Sequence, residues 1–277
     1  MNPTLGAFAF GVPALFFVAL AALFGLLIGS FLNVCIYRWP RDLSVVRPRS
    51  ACIECEHPIA WYDNVPLLSY ALLKGRCRHC HASIHWRYPV VELMTALCFA
   101  YLVHRHGLTL AAAKYCIFAA LQIGLIFSDL DTLLLPDEFT LGGTVIGLAF
   151  SPFTQVPDQI FSSLFSLAAF PLTPRWASFA DSAFGAALPA GTLWLLGWLF
   201  EKVRKKEGLG FGDVKMIAMI GAFLGIQGAL LTVILGSLAG SILGLAFIKI
   251  TKQDAATFQL PFASFLGLAA LVVALRL

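Results

Sequence analysis

The feature that most limits what this chain can become is the recurrence of apolar runs about as long as a bilayer is thick. A helix rises 1.5 Å per residue, so roughly 20 apolar residues cross about 30 Å of hydrocarbon. Runs near that length fall at 11–37, 89–104, 110–129, 136–151, 182–200, 212–227, 229–249 and 260–276, several of them short. Apolar residues make up 59% of the 277, and charged residues only 12%. A water-facing surface needs roughly twice that share of charge. The sequence therefore predicts an all-α polytopic membrane protein of about eight transmembrane helices. Residues 152–181 read as a non-cytoplasmic loop with an interfacial helix, because Pro152, Pro157, Pro171 and Pro174 interrupt it and its apolar piece, 160–172, is too short to span. A ninth span there is the alternative. The residues before the first run carry no Lys or Arg, and no cleavage-site pattern follows it. It reads as a retained span and not a removed leader.

The charges give the orientation. Of nineteen lysines and arginines, all but Arg105, Lys114, Arg175 and Arg276 lie in or beside 37–88, 201–215 and 249–259. Basic loops stay in the cytoplasm, which leaves both termini outside. The net charge of +4 is thus a matter of topology. With no basic arm or recognition helix, nucleic acid is not an expected partner. Glycines inside the spans, Gly25 and Gly29 among them, read as close-packing positions. No internal repeat is evident.

Residues 38–88, between the first span (10–37) and the remaining bundle (89–277), are the most polar stretch. They hold Cys52-x-x-Cys55 and Cys77-x-x-Cys80, 21 residues apart. Two such pairs offer four thiolates, which complete a tetrahedral zinc site with no open position, so the metal is structural. A module this small builds little core, and a metal supplies the missing folding energy. The alternative is four reduced cysteines without an ion. Cys35, Cys98 and Cys116 sit in apolar runs and read as packing residues.

A set of acids lies at span ends. Asp129 and Asp131 close one span in SDLDTLLLPD, Asp137 precedes the next, and Asp213 opens another in GLGFGDVK. Carboxylates at membrane depth are expensive and usually face a polar interior site. Two from different helices can share one water, one taking its proton and the other donating. Gly208, Gly210 and Gly212 would admit backbone close to the second aspartate. The alternative is that these acids only cap helices.

The motifs GSFLNVCIYRWP, the two cysteine pairs, WYDNVPLLSYALLKGRCRHC, RYPVVEL, SDLDTLLLPD and GFGDVK follow one another along nearly the whole chain. In that order they resemble the bacterial prepilin peptidases, or type IV leader peptidases, which are membrane aspartic proteases of the Gly-x-Gly-Asp type. The resemblance implies a catalytic pair of Asp213 and Asp129, with Asp131 as the close competitor for the first place. It implies cleavage of type IV prepilins, or pseudopilins of type II secretion, at the cytoplasmic face of the bacterial inner membrane. In many members methylation of the new N-terminus by S-adenosylmethionine follows. The sequence does not locate that cofactor. Glu92, Lys74, Arg87 and Asp63 are charged residues of matching motifs near the module, and their alternative role is structural. Ile53 and Glu54 stand where a proline commonly falls in the family, a small departure.

Other classes predict other features. A transporter with a zinc-stabilised cap would need an acid near the bilayer midplane. A peptidase without methyl transfer differs only in product mass, and a noncatalytic scaffold would tolerate Asp129→Asn and Asp213→Asn.

Overall fold

The computed structural model describes residues 14–156, 160–167, 172–205, 210–251 and 260–276. Pro157, Pro171, Gly208 and parts of the 11–37, 201–215 and 249–259 stretches, all used in the sequence reading, lie outside them. Every regular element among the described residues is helical, apart from two isolated β-bridges. The helices are α1 (Ala14–Arg38), α2 (Leu68–Leu72), α3 (Arg87–His106), α4 (Leu110–Thr132), α5 (Asp137–Phe150), α6 (Ile160–Leu167), α7 (Pro174–Arg204), α8 (Phe211–Thr251) and α9 (Phe262–Arg276). Ala14–Arg41, Leu110–Thr132, Pro174–Arg204 and Phe211–Ile250 are long and apolar enough to cross a membrane. Helices also cover the other stretches expected to span, but these are shorter or more polar. The chain divides into two compact units that meet between Phe127 and Ser128, within α4.

In the first unit α1 and α3 are antiparallel, and small residues let them touch. A Cβ at Gly25 would lie 2.7 Å from Ala96 Cα, and one at Gly29 would lie 2.7 Å from Glu92 Cα. One step further on, Asn33 Nδ2 donates to Tyr88 O at 3.1 Å. Positions 25, 29 and 33 form one stripe at the i, i+4 spacing of a helix face. The opposite face, with Leu20, Leu23, Phe24, Leu27 and Phe31, is exposed, as lipid contact requires. α3 ends at Gly107, whose φ of 66° suits glycine. Thr109 Oγ1 then accepts the Ala112 N–H at 3.2 Å and caps α4. Cys35 and Cys116 are buried, in keeping with a packing role.

The chain between α1 and α3 is tied down at its start and middle. Arg38 donates to Ser44 O at 2.9 Å and Pro48 O at 2.8 Å. The buried Glu92 carboxylate accepts the Leu67 N–H at 2.8 Å.

In the second unit α7 and the first part of α8 approach backbone on backbone. A Cβ at Gly221 would strike the Gly185 carbonyl, and one at Gly185 would lie 2.8 Å from Gly225 Cα. Ser182 Oγ donates to Ala222 O at 2.5 Å. Gly225 has φ 76° and ψ −173°, so α8 breaks there. The contacts on either side show a reversal. The first half runs parallel to α5, with Asp137 paired to Lys215 and Gly147 against Phe223. The second half lies antiparallel to α9, with Gly236 against Leu266 and Gly244 against Leu260. The sequence reads two spans here with a break at 228; the break falls at Gly225, where only glycine takes this backbone cheaply.

In the 152–181 stretch α6 falls within the apolar piece read as a short helix, but α7 begins at Pro174, well before 182. Proline at a first helical position starts a helix, since its missing N–H has no partner there anyway. Asp181, read as a loop residue, is buried inside α7.

Candidate active site

Two constellations stand out, one in each unit. In the first, Cys52, Cys55, Cys77 and Cys80 place their sulfurs within 4.8 Å of one another, half-buried to exposed. Cys52 Sγ and Cys80 Sγ are 3.8 Å apart. Sulfurs about 2.3 Å from a tetrahedral ion stand roughly 3.8 Å apart, so the donor set fits zinc.

The two halves of this cluster are built alike. Cys52 N–H donates to His57 O at 3.0 Å, Glu56 N–H to Cys52 O at 2.9 Å, and Ile59 N–H to Ser50 O at 2.8 Å. Twenty-five residues on, Cys77 N–H donates to Ala82 O at 2.9 Å, His81 N–H to Cys77 O at 3.1 Å, and Ile84 N–H to Gly75 O at 2.7 Å. Each half closes with one bridge, Ala51 to Pro58 and Arg76 to Ser83. Each also turns through a left-handed residue, Glu56 at φ 55° and His81 at φ 58°. This is the internal repeat that the sequence reading does not find. Its trace, CIECEHPI against CRHCHASI, keeps only the cysteines and one isoleucine. Backbone N–H groups of Cys80 and His79 lower the Cys77 thiol to about 7, while the neighbouring sulfurs help push Cys80 up to about 12, so the thiols titrate as one group.

Asp63 and Arg78 brace the module with two hydrogen bonds, Nε to Oδ2 at 2.8 Å and Nη2 to Oδ1 at 2.5 Å. The guanidinium holds the Asp63 carboxyl below the usual carboxylate range. Asp63 and Glu92 thus have structural partners, and Arg87 is buried at the start of α3.

The second constellation gathers the N-termini of α5, α8 and α9 at the C-terminal end of α4. Leu133, at φ 56°, ends α4 and returns its N–H to Asp129 O at 2.9 Å. Pro136 opens α5. Asp129 is 5% exposed, whereas Asp131 faces out and is exposed. Asp213 stands in the first turn of α8, its N–H on Gly210 O at 3.1 Å. The carboxylates of Asp129 and Asp213 are close enough to interact electrostatically. Lys215 and Asp137 form an ion pair that joins the start of α8 to the start of α5.

The described glycines of the GLGFGD segment make room for the chain itself. A Cβ at Gly210 would lie 3.3 Å from Asp213 Oδ2, and one at Gly212 would lie 3.1 Å from Leu135 Cδ1.

Sequence reasoning missed Ser264. Its backbone N–H and its hydroxyl both donate to Asp129 Oδ2, at 2.7 and 2.8 Å. Asp129 therefore caps α9 from another helix. The capping alternative and the paired-carboxylate reading meet in one residue. No local pattern links positions 135 apart, so nothing in the sequence signals the contact.

Comparison with known proteins gives the site its family. Residues 23–106 match the bacterial peptidase A24 N-terminal domain, and residues 116–245 match the type IV leader peptidase family. The chain belongs to the type IV leader peptidase family. A prepilin leader peptidase/N-methyltransferase of Pseudomonas aeruginosa is 35% identical over 276 residues, which is 91% of this chain and 88% of that relative. One of Aeromonas hydrophila is 36% identical over 289 residues, covering 94% and 91%. One of Pectobacterium carotovorum subsp. carotovorum is 36% identical over 275 residues, covering 91% and 90%. No solved structure matches the chain. The type IV leader peptidase match takes in both Asp129 and Asp213, while Ser264 lies beyond it.

Proposed function

We propose that this chain is a membrane aspartic endopeptidase that removes the leader of type IV prepilins or type II secretion pseudopilins and then methylates the new N-terminus. The observation that carries this reading is that the helix ends bearing Asp129 and Asp213 meet in the second unit, with Gly212 at the start of α8 against Leu135 just beyond α4. Asp129 takes a proton from water as the water oxygen bonds to the scissile carbonyl carbon. Asp213 gives its proton to the carbonyl oxygen. When the C–N bond breaks, the proton on Asp129 goes to the leaving amine, and Asp213 recovers its own from the collapsing diol. The reading has about eight spans, the cysteine module (38–88) inserted between the first two, and module and aspartates on the cytoplasmic side of the inner membrane. The basic residues support that orientation. Exposed Trp61, Tyr62 and Leu68 suit a module that rests on the membrane surface.

Cys52, Cys55, Cys77 and Cys80 would hold zinc, which joins the two halves of the module and takes no part in hydrolysis. S-adenosylmethionine, when bound, supplies a methyl group to the amine that cleavage exposes. A cleft of about 360 Å³ in the first unit is lined by Ser30, Arg38, Arg49 and Asn64 with apolar residues; two arginines and no acidic group do not fit the sulfonium and ammonium of that donor.

The test is cleavage of a prepilin by purified protein, with product mass read with and without S-adenosylmethionine. Asp129→Asn and Asp213→Asn are expected to abolish cleavage with zinc retained; Asp131→Asn costs less. Asn keeps an acceptor for Ser264, so the α9 cap survives. Full activity in Asp213→Asn ends the paired-carboxylate reading.

A further inference from the structure

Resting on the reading of Asp129 and Asp213 as the hydrolytic pair, we propose that Ser264 is a positioning residue that fixes which oxygen of Asp129 takes the proton from water. Ser264 is buried in the first turn of α9. Its two donors converge on one atom, Asp129 Oδ2, and one of them is a backbone N–H. A hydroxyl can reverse its hydrogen bond and accept; an amide cannot. Oδ2 is thereby held as an acceptor, since a proton on it would meet the amide hydrogen. Oδ1, which takes no hydrogen bond among the described residues, is left for the water. The second donor also fixes rotation of the carboxyl plane. A carboxylate with a single donor can swing about its terminal torsion, which is broad. With both, Oδ1 keeps one direction through the reaction.

This separates the two aspartates in kind. Asp129 is braced by the first turn of another helix, whereas Asp213 sits in its own helix's first turn, with its N–H on Gly210 O at 3.1 Å. The braced group suits the proton acceptor, because hydrogen bonds donated to a carboxylate favour the form that accepts. The other suits the donor.

The experiment is steady-state cleavage of a prepilin by the full-length protein carrying Ser264→Ala or Ser264→Thr. Zinc content and detergent-solution Tm are measured on each. Ser264→Ala keeps the amide and loses the hydroxyl. Its kcat is expected to fall about ten- to a hundredfold, the range for a hydrogen bond to a charged group, with KM changed less than about twofold. Ser264→Thr restores the hydroxyl and is expected to recover most of kcat. Unchanged kcat in Ser264→Ala overturns the positioning role, and so does a loss in KM alone. Equal losses in the alanine and threonine variants, with Tm lowered in both, would make Ser264 a packing residue and overturn it too. Failure of the underlying reading is separable: it shows as cleavage by Asp129→Asn or Asp213→Asn.

Discussion

The two units bring distant residues together by opposite means. The cysteine module of the first has little regular structure beyond short turns, and its start and middle are held by arginine and glutamate on backbone groups. Its centre is four sulfurs. The second unit has no such cluster among its described residues and needs none. Glycines let α7 and α8 meet at the backbone, and helix ends exchange hydrogen bonds. A short polar stretch buries little apolar surface, and four convergent sulfurs are a donor set through which a metal would supply the missing constraint. Helices in a bilayer have their backbone groups already satisfied, so small residues and a few polar contacts suffice to fix their positions.

That contrast can be broken one side at a time. The largest effect is expected from Asp213→Asn, with prepilin cleavage lost and zinc unchanged by elemental analysis. Cys52→Ser is its mirror image. Zinc should fall well below one per chain and the module should become sensitive to limited proteolysis, with cleavage reduced less than by the aspartate change. If Cys52→Ser kept full zinc, the metal reading of the module would fail.

A third change probes packing. Gly221→Ala drives a Cβ into the Gly185 carbonyl, and backbone cannot move aside as a side chain can. Overpacking of this kind costs about 1–3 kcal/mol, and a lowered Tm with zinc retained would show it. An unchanged Tm would mean that the α7–α8 contact is looser than described. The smallest effect concerns pH. Arg78 depresses the folded-state pKa of Asp63, so the pair stabilises fully above the ordinary carboxylate range. That contribution is lost as pH falls through the depressed value. Asp63→Asn should flatten the acid side of the module's stability curve, by lowering stability at neutral pH and leaving it unchanged at low pH; the exposure of Arg78 keeps the loss small.

Much of this was legible in residue order. The apolar runs located helices, the cysteine spacing located the four-sulfur cluster, and the motifs named Asp129 and Asp213, whose helix ends the fold gathers. What stayed hidden depends on distance along the chain or on backbone angles. Ser264 meets Asp129 across 135 positions. Pro174 reads as a breaker until the helix it starts is seen. The paired cysteine turns share a backbone path, with left-handed Glu56 and His81 in place of the glycines that usually mark such turns. The exposure of Asp131 beside buried Asp129 was foreseeable, because residues two apart on a helix face different ways.

The reversal at Gly225 has a bearing on the lipid. α5 has 14 residues, and the part of α8 before Gly225 is of similar length. At 1.5 Å per residue each reaches only about 21 Å, against hydrocarbon about 30 Å thick. Both run in the same direction from the end that carries Asp213 and Asp137. A bilayer meets such mismatch by thinning, or the short helices leave their polar ends below its surface. In either case headgroups and water would come down to the level of the aspartates. A hydrolase working on the apolar segment of a membrane-bound substrate can then draw its water from the adjacent interface, with no channel through the bundle.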